Sequence, residues 1–204
     1  MLCIIISTRS VDKCFVPSDS LYKAARDRKV EPEQIIQHGL PIRRGFWADQ
    51  SPGSSKGGNT HFFDDLFAGF RGGQKETKGQ DVNKSKIQNE LGLKEGLPTV
   101  LIVGGGDGMG GIIQQANALG DKLGQKASED GKAYQMAVVC GNNENAQKKL
   151  SSRDWGDINV EVKGFVNNMD EWMRASDVIV TKAGPGTIAE ASICGLPCML
   201  SSYL

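Results

Sequence analysis

The sequence predicts an α/β fold in which helices cover both faces of a parallel β-sheet. Beyond residue 84, near-continuous apolar runs of strand length alternate with segments of helical character. This alternation is typical of a parallel sheet buried on both sides. Two glycine-bearing loops each follow one apolar run and precede a helical segment. In such folds these loops lie at the carboxyl edge of the sheet, where ligands bind.

Composition narrows the possible functions. The chain has 204 residues, enough for one large domain or for a domain with an appendage, and 39% of them are hydrophobic. Its 24 basic residues balance 24 acidic ones, which disfavours nucleic acid as a partner. Its five cysteines form no C-x-x-C pair, so we expect free thiols in a reducing compartment. No apolar run approaches the ~18–20 residues of a membrane span.

The first half of the chain contains few clear elements. We expect a short strand over residues 12–17, a helix from the N-cap Ser18 to about Lys29, and an alternating apolar segment over residues 35–42. Residues 48–84 are rich in Gly, Ser, Lys, Gln, Asn and Asp and are predicted to be a disordered insertion. Its apolar island, Phe62–Phe70, is either a loosely packed loop, a short helix or a partner-docking element.

The second half, residues 85–204, carries the predicted sheet. Strands are expected at residues 99–103, 134–140, 158–163, 178–181 and 198–200. Helices are expected at residues 86–91, from 112 onward, and at 145–150, 169–174 and 187–193. If the five strands are parallel, both glycine loops fall at the same edge of this sheet.

The loop that follows the predicted strand at residues 178–181 has the sequence features of an anion-binding site. It passes through Gly184 and Gly186 into a helix of small residues. At the start of a helix, backbone N–H groups without an intrahelical acceptor lie at the positive end of the helix dipole, and both features attract an anion. Glu190 follows Thr187 by three residues and therefore shares its helix face. The hydroxyl can donate to a phosphate while the carboxylate accepts from ribose hydroxyls. The residues around Glu190 are too apolar for an ordinary surface helix.

The other loop, within Val100–Ile112, is less specific. Residues 106–111 match the dinucleotide pattern G-x-G-x-x-G. That pattern also requires an acid at the end of the next strand, and here none occurs before Glu144. The lysine of a P-loop (Walker A) motif is absent too. Because the dinucleotide match is incomplete, both a dinucleotide-binding fold and a tight turn without a ligand stay open. Two phosphate-type loops together indicate a diphosphate ligand.

Four segments of the chain resemble the monogalactosyldiacylglycerol synthases of plastids, which are of the glycosyltransferase family 28 type. They are HGLPIRRGF, VGGGDGMGG, VKGFVNNMDEWM and TKAGPGTIAEASICGLP, starting at His38, Val103, Val162 and Thr181. The last string is the most specific. The family consists of inverting enzymes of the two-domain GT-B type, so the resemblance implies that this chain forms a Rossmann-like, donor-binding C-terminal half. These enzymes transfer galactose from UDP-galactose to 1,2-diacylglycerol.

The resemblance also implies a role for each site residue. Phe165 and Val166 would frame the uracil, and Glu190 would hold the ribose. The diphosphate would lie against the loop glycines and Thr187, with Arg43 adding positive charge; these glycines are Gly105, Gly106, Gly184 and Gly186. No D-x-D cluster calls for a metal, so no cofactor is expected, because helix N-termini and an arginine can stabilise departing UDP.

The resemblance covers roughly residues 11–47 and 85–204. Residues 1–47 would then be a remnant of the N-terminal domain with the interdomain connection, and residues 85–204 an incomplete UDP-sugar-binding domain. The start MLCIIISTRS does not match the family, and the family continues beyond the final Ser-Ser-Tyr-Leu. We therefore expect a longer natural protein whose catalytic base lies on the missing half.

Partners and location follow from the same resemblance. We expect a diacylglycerol acceptor in the membrane and peripheral association with the plastid envelope. Nucleic acid is not expected, because the charge is balanced, and a homodimer stays open. Two other functions stay open: a GT-B transferase for another sugar or acceptor, and a nucleotide-binding module without transfer activity.

Overall fold

The computed structural model describes residues 12–46, 78–104 and 111–202, without the side chains of residues 78–82 and 202. The chain divides into two compact units, with the boundary between Arg43 and Arg44.

The smaller unit is a strand–helix–strand element. Strand β1 (Cys14–Val16) and strand β2 (Ile35–Gln37) pair in parallel, and helix α1 (Asp19–Asp27) connects them. Ser18 is the N-cap, as the sequence predicts, and its hydroxyl accepts from the N–H of Leu21 at 3.4 Å. The helix ends before Lys29, which takes a left-handed φ of 66°. A small apolar core holds the unit together: Cys14, Val16, Ala25, Val30 and Ile35.

The larger unit contains a five-stranded parallel sheet in the order β5-β4-β3-β6-β7. Its strands are β3 (Thr99–Val103), β4 (Gln135–Val139), β5 (Asn159–Lys163), β6 (Val178–Lys182) and β7 (Cys198–Ser202). All five predicted strands are present, and the predicted fold class, a Rossmann-like parallel sheet with helices, is confirmed.

Five α-helices accompany these strands in the described ranges of this unit, which also has a short 3-10 helix at Arg44–Phe46. They are α2 (Lys78–Glu90), α3 (Ile112–Asp130), α4 (Glu144–Ser151), α5 (Met169–Arg174) and α6 (Pro185–Ile193). Helix α2 starts at Lys78, whereas the sequence predicted a helix from Lys86. Residues 78–84, expected to be the end of a disordered insertion, are therefore helical. The rest of that insertion, with Phe62–Phe70, lies outside the described residues.

Helix α2 is polar, and buried hydrogen bonds hold it on the sheet. Gln88 is fully buried, and its Nε2 donates to the carbonyl of Ala175 at 3.1 Å and to Thr99 Oγ1 at 2.9 Å. Nζ of Lys84 lies 2.6 Å from Asp177 Oδ1. A buried amide with satisfied hydrogen bonds stabilises a helix that has no apolar stripe of its own. This explains why hydrophobic periodicity located only the end of α2.

The main core lies between the sheet and helices α3 and α4. Fully buried side chains on β3 and β4, such as Ile102 and Met136, pack against Ala116 and Leu123 of α3. Gly120 of α3 lies against Trp155, so that a Cβ on Gly120 would be 2.5 Å from the indole Cζ3. This close packing positions α3.

Candidate functional site

The candidate site begins where the strand order reverses. Strands β3 and β6 are neighbours at the centre of the sheet, with Val103 opposite Thr181. From β3 the chain goes on to β4 on one side, and from β6 it goes on to β7 on the other. A crevice opens at such a switch point, beyond the carboxyl ends of the strands, and it is the usual ligand site of open α/β sheets. Both glycine loops therefore start side by side at this crevice.

The loop after β3 is described only at its ends. The N–H of Gly104 donates to the carbonyl of Val139 at 3.0 Å, and Gly111 precedes α3 with a left-handed φ of 71°. Gly105 and Gly106, which are predicted to contact a diphosphate, lie outside the described residues.

The loop after β6 brings three predicted residues to the start of α6. Gly184 is the N-cap, and its N–H closes a tight turn onto the carbonyl of Lys182 at 2.6 Å. The first intrahelical bond runs from the N–H of Ile188 to the carbonyl of Gly184. The N–H groups of Gly186 and Thr187, in the first turn, have no acceptor within the helix. A Cβ on Gly186 would meet no described atom within 4 Å, so the backbone here is open to a ligand.

Glu190 lies one turn further along α6 and is buried, with 6% of its surface exposed. A buried carboxylate is unusual unless it is paired or binds a ligand. Its backbone carbonyl accepts from the N–H of Cys194, which ends the helix. The burial of Glu190 agrees with the prediction that this acid is not an ordinary solvated helix residue.

Charged residues of α5 lie in the surroundings of this helix end. The pKa of the Cys194 thiol is raised to about 11, mainly by burial; the guanidinium of Arg174 opposes this effect, and the carboxylates of Asp170 and Glu190 add to it. Glu190, Asp170 and Arg174 therefore all lie close enough to Cys194 to affect its pKa. Sequence reasoning missed Asp170 and Arg174; their i,i+4 spacing on α5 was the available signal.

The same pair anchors the segment that precedes the insertion. Nη2 of Arg174 donates to the carbonyl of Gly45 at 3.0 Å. A Cβ on Gly45 would lie 2.6 Å from the carboxylate carbon of Asp170, so only glycine fits there without displacement. Phe46 is buried next to it in sequence. Arg43, predicted to contact the diphosphate, belongs to the smaller unit, where it is exposed.

The remaining predicted residues follow β5. Phe165 is 67% exposed, although it is a large aromatic side chain, and Val166 is half-buried. The N–H of Cys140 donates to the carbonyl of Lys163 at 2.8 Å and joins the ends of β4 and β5. Because all five strands are parallel, Phe165 lies at the same edge of the sheet as the start of α6. An exposed ring there can pack against a flat ligand.

This architecture, a parallel sheet with glycine-bearing loops at its switch point, is that of the Rossmann-like α/β domains. Residues 99–201 match the sequence model of the glycosyltransferase family 28 C-terminal domain. The chain belongs to this family.

Several relatives of this chain have names that are more specific than the family description. The chain is 40% identical to "Monogalactosyldiacylglycerol synthase 1, chloroplastic" from Arabidopsis thaliana, over 95% of this chain and 30% of that protein. It is 40% identical to the synthase of Spinacia oleracea, over 95% of this chain and 31% of that protein. It is 37% identical to synthase 3 of Arabidopsis thaliana, over 95% of this chain and 35% of that protein. The chain thus spans about a third of the length of these relatives.

Among solved structures, the chain resembles WaaG, a glycosyltransferase involved in lipopolysaccharide biosynthesis. The TM-score is 0.51 at 20% identity, and the match covers 91% of this chain and 43% of WaaG. This likeness supports the fold. In the ranges that the structure describes, no helix has both the length and the apolar character needed to cross a bilayer.

Proposed function

We propose that this chain is the donor-binding part of a glycosyltransferase that moves galactose from UDP-galactose to 1,2-diacylglycerol with inversion, forming monogalactosyldiacylglycerol. Membership of family 28 and the likeness to relatives named monogalactosyldiacylglycerol synthase support the reaction. One structural observation carries the donor site: Glu190 is a buried carboxylate one turn after an open helix N-terminus.

The diphosphate is assigned to the crevice between β3 and β6. N–H groups of Gly186 and Thr187, the Thr187 hydroxyl and the α6 dipole would bind its oxygens. Gly184 precedes these groups as the N-cap of α6, and Gly105 and Gly106 would complete this part of the site. These donors stabilise negative charge as UDP leaves, which is the main electrostatic demand of the transfer.

The nucleoside is assigned to Glu190 and to the loop after β5. The Glu190 carboxylate would accept charge-assisted hydrogen bonds from both ribose hydroxyls. Uracil would pack on Phe165, while the Val166 backbone would hydrogen-bond its polar edge.

Inversion requires a base that removes a proton from the acceptor hydroxyl as the donor sugar is attacked. We assign no residue of this chain to that role and place the base on the acceptor-binding half of the full-length enzyme. Peripheral association with the plastid envelope is part of the same proposal, because the relatives are named chloroplastic.

Calorimetric titration tests the donor assignment. The chain is titrated with UDP, UDP-galactose, UDP-glucose and NAD under identical conditions. UDP and UDP-galactose should bind, with NAD much weaker. Preferential binding of NAD would instead support a dinucleotide module, and equal affinity for the two UDP-sugars would leave the choice of sugar to the other half of the enzyme.

A further inference from the structure

The side chain of Gln147 lies against the backbone at the end of β5. A Cβ on Gly164 would be 2.8 Å from Gln147 Oε1 and 3.4 Å from its Cδ. The amide of Gln147 therefore occupies the space that a larger residue at position 164 would need. Gly164 directly precedes Phe165, the exposed aromatic residue of the same loop.

Gln147 is placed there by the packing of α4. Ala146 and Leu150 are buried in the main core and fix the rotation of this helix. Asn143 caps its start, accepting from the N–H of Ala146 at 2.9 Å. Because Gln147 adjoins the buried stripe, it is half-buried.

The side-chain amide of Gln147 is not hydrogen-bonded within the described part of the chain. Its backbone N–H donates to the carbonyl of Asn143 at 3.0 Å, whereas its side-chain amide makes no hydrogen bond to another residue that the structure describes. Half-buried amides normally find such partners. A donor and an acceptor are thus available beside the loop that carries Phe165.

We propose that Gln147 is a specificity-determining residue that hydrogen-bonds the polar edge of a pyrimidine packed on Phe165. The proposal rests on the proposed function, to which it adds a side-chain contact that selects the base. Uracil has two carbonyl acceptors that flank its N3–H donor, so Nε2 of Gln147 can donate to one carbonyl while the Val166 backbone binds the rest of the polar edge. Stacking on an aromatic ring with hydrogen bonds to the base edge is a common way to bind an unpaired base.

The inference is tested by comparing two ligands that differ only in the base. Binding of UDP and of ribose 5-diphosphate, which has no base, is measured by calorimetry on the 204-residue chain and on Gln147→Leu. UDP affinity should fall about tenfold in the variant, and affinity for ribose 5-diphosphate should not change. Gln147→Glu, which keeps the shape but loses the donor, should also weaken UDP binding. Gln125→Leu makes the same chemical change on an exposed position of α3 and should leave both affinities unchanged.

The possible results separate the inference from the proposed function. Wild-type protein that binds UDP, with no loss in folded Gln147→Leu, overturns the role of Gln147 and leaves the donor site standing. An equal loss for both ligands also overturns it, because Gln147 would then act only by supporting the loop. Wild-type protein that does not bind UDP refutes the proposed function, and the inference with it.

Discussion

Thr99 and Asp177 are joined by two hydrogen bonds at the amino edge of the sheet. The N–H of Thr99 donates to Oδ2 of Asp177 at 2.7 Å, and the N–H of Asp177 donates to the carbonyl of Thr99 at 2.9 Å. Asp177 is 3% exposed and also contacts Lys84. These residues begin the two central strands, so the pair aligns the strands whose opposite ends carry the candidate site.

Asp177→Asn should lower the free energy of unfolding by about 1–3 kcal/mol, because it leaves Lys84 without its buried counter-charge. Urea denaturation checks this. Glu144→Gln is a matched control, since Glu144 pairs with Lys148 while both side chains are at least 80% exposed; its effect should be within about 0.5 kcal/mol. Equal effects of the two changes would show that the Asp177 contacts do not stabilise the fold.

Glu190→Gln should weaken UDP binding about tenfold or more, because the charge-assisted bonds to ribose are lost while the size is kept. Thr187→Val should cost less, since backbone N–H groups at the same helix start continue to bind phosphate. Calorimetry gives the affinities, and thermal melting gives stability. A folded Glu190→Gln protein with an unchanged UDP dissociation constant would remove Glu190 from the site.

Two glycines of α3 should respond in opposite ways to alanine. Gly124→Ala should stabilise the protein by about 0.5–1 kcal/mol through helix propensity, because its Cβ would lie at an ordinary 3.6 Å from Ile158 Cδ1. Gly120→Ala should destabilise it by about 1–3 kcal/mol, because its Cβ would lie 2.5 Å from the Trp155 ring. The indole cannot move away easily, since its Nε1 donates to the carbonyl of Leu150. Urea denaturation of both variants is the measurement, and stabilisation by Gly120→Ala would contradict this packing.

Alkaline pH should destabilise the protein partly through its buried thiols. Burial raises the pKa of Cys140 and of Cys194 to about 11, from an ordinary value of 9.0. Below pH 9 both thiols are protonated in the folded and unfolded states, so their contribution is fully present. As pH rises from 9 to 11 the unfolded state loses these protons first, and stability falls. A Cys140→Ala, Cys194→Ala double variant should lose less stability than the wild type over this window, as measured by urea denaturation at each pH. Parallel pH profiles would exclude the thiols as the cause.

Local sequence patterns predicted the strands and the helix that carries Thr187 and Glu190. Apolar runs located β3 to β7, and the spacing of Thr187 and Glu190 predicted their shared face on α6. The start of α2 was not predicted, because its contacts join residues far apart in sequence: Lys84 with Asp177 and Gln88 with Ala175. A polar helix of this kind has no apolar periodicity to reveal it.

The sequence by itself determined the parallel sheet, its glycine-bearing loops and the acid one turn into α6, because apolar alternation and helix-start chemistry are properties of neighbouring residues. Only the tertiary structure decided the strand order that sets β3 beside β6. It also decided the contact of Gln147 with Gly164 and the anchoring of Gly45 by Asp170 and Arg174. Those relationships depend on how helices that are distant in sequence pack on the sheet. Which side chains fit together in a close-packed interior depends on all the neighbouring elements, so no single local pattern predicts it.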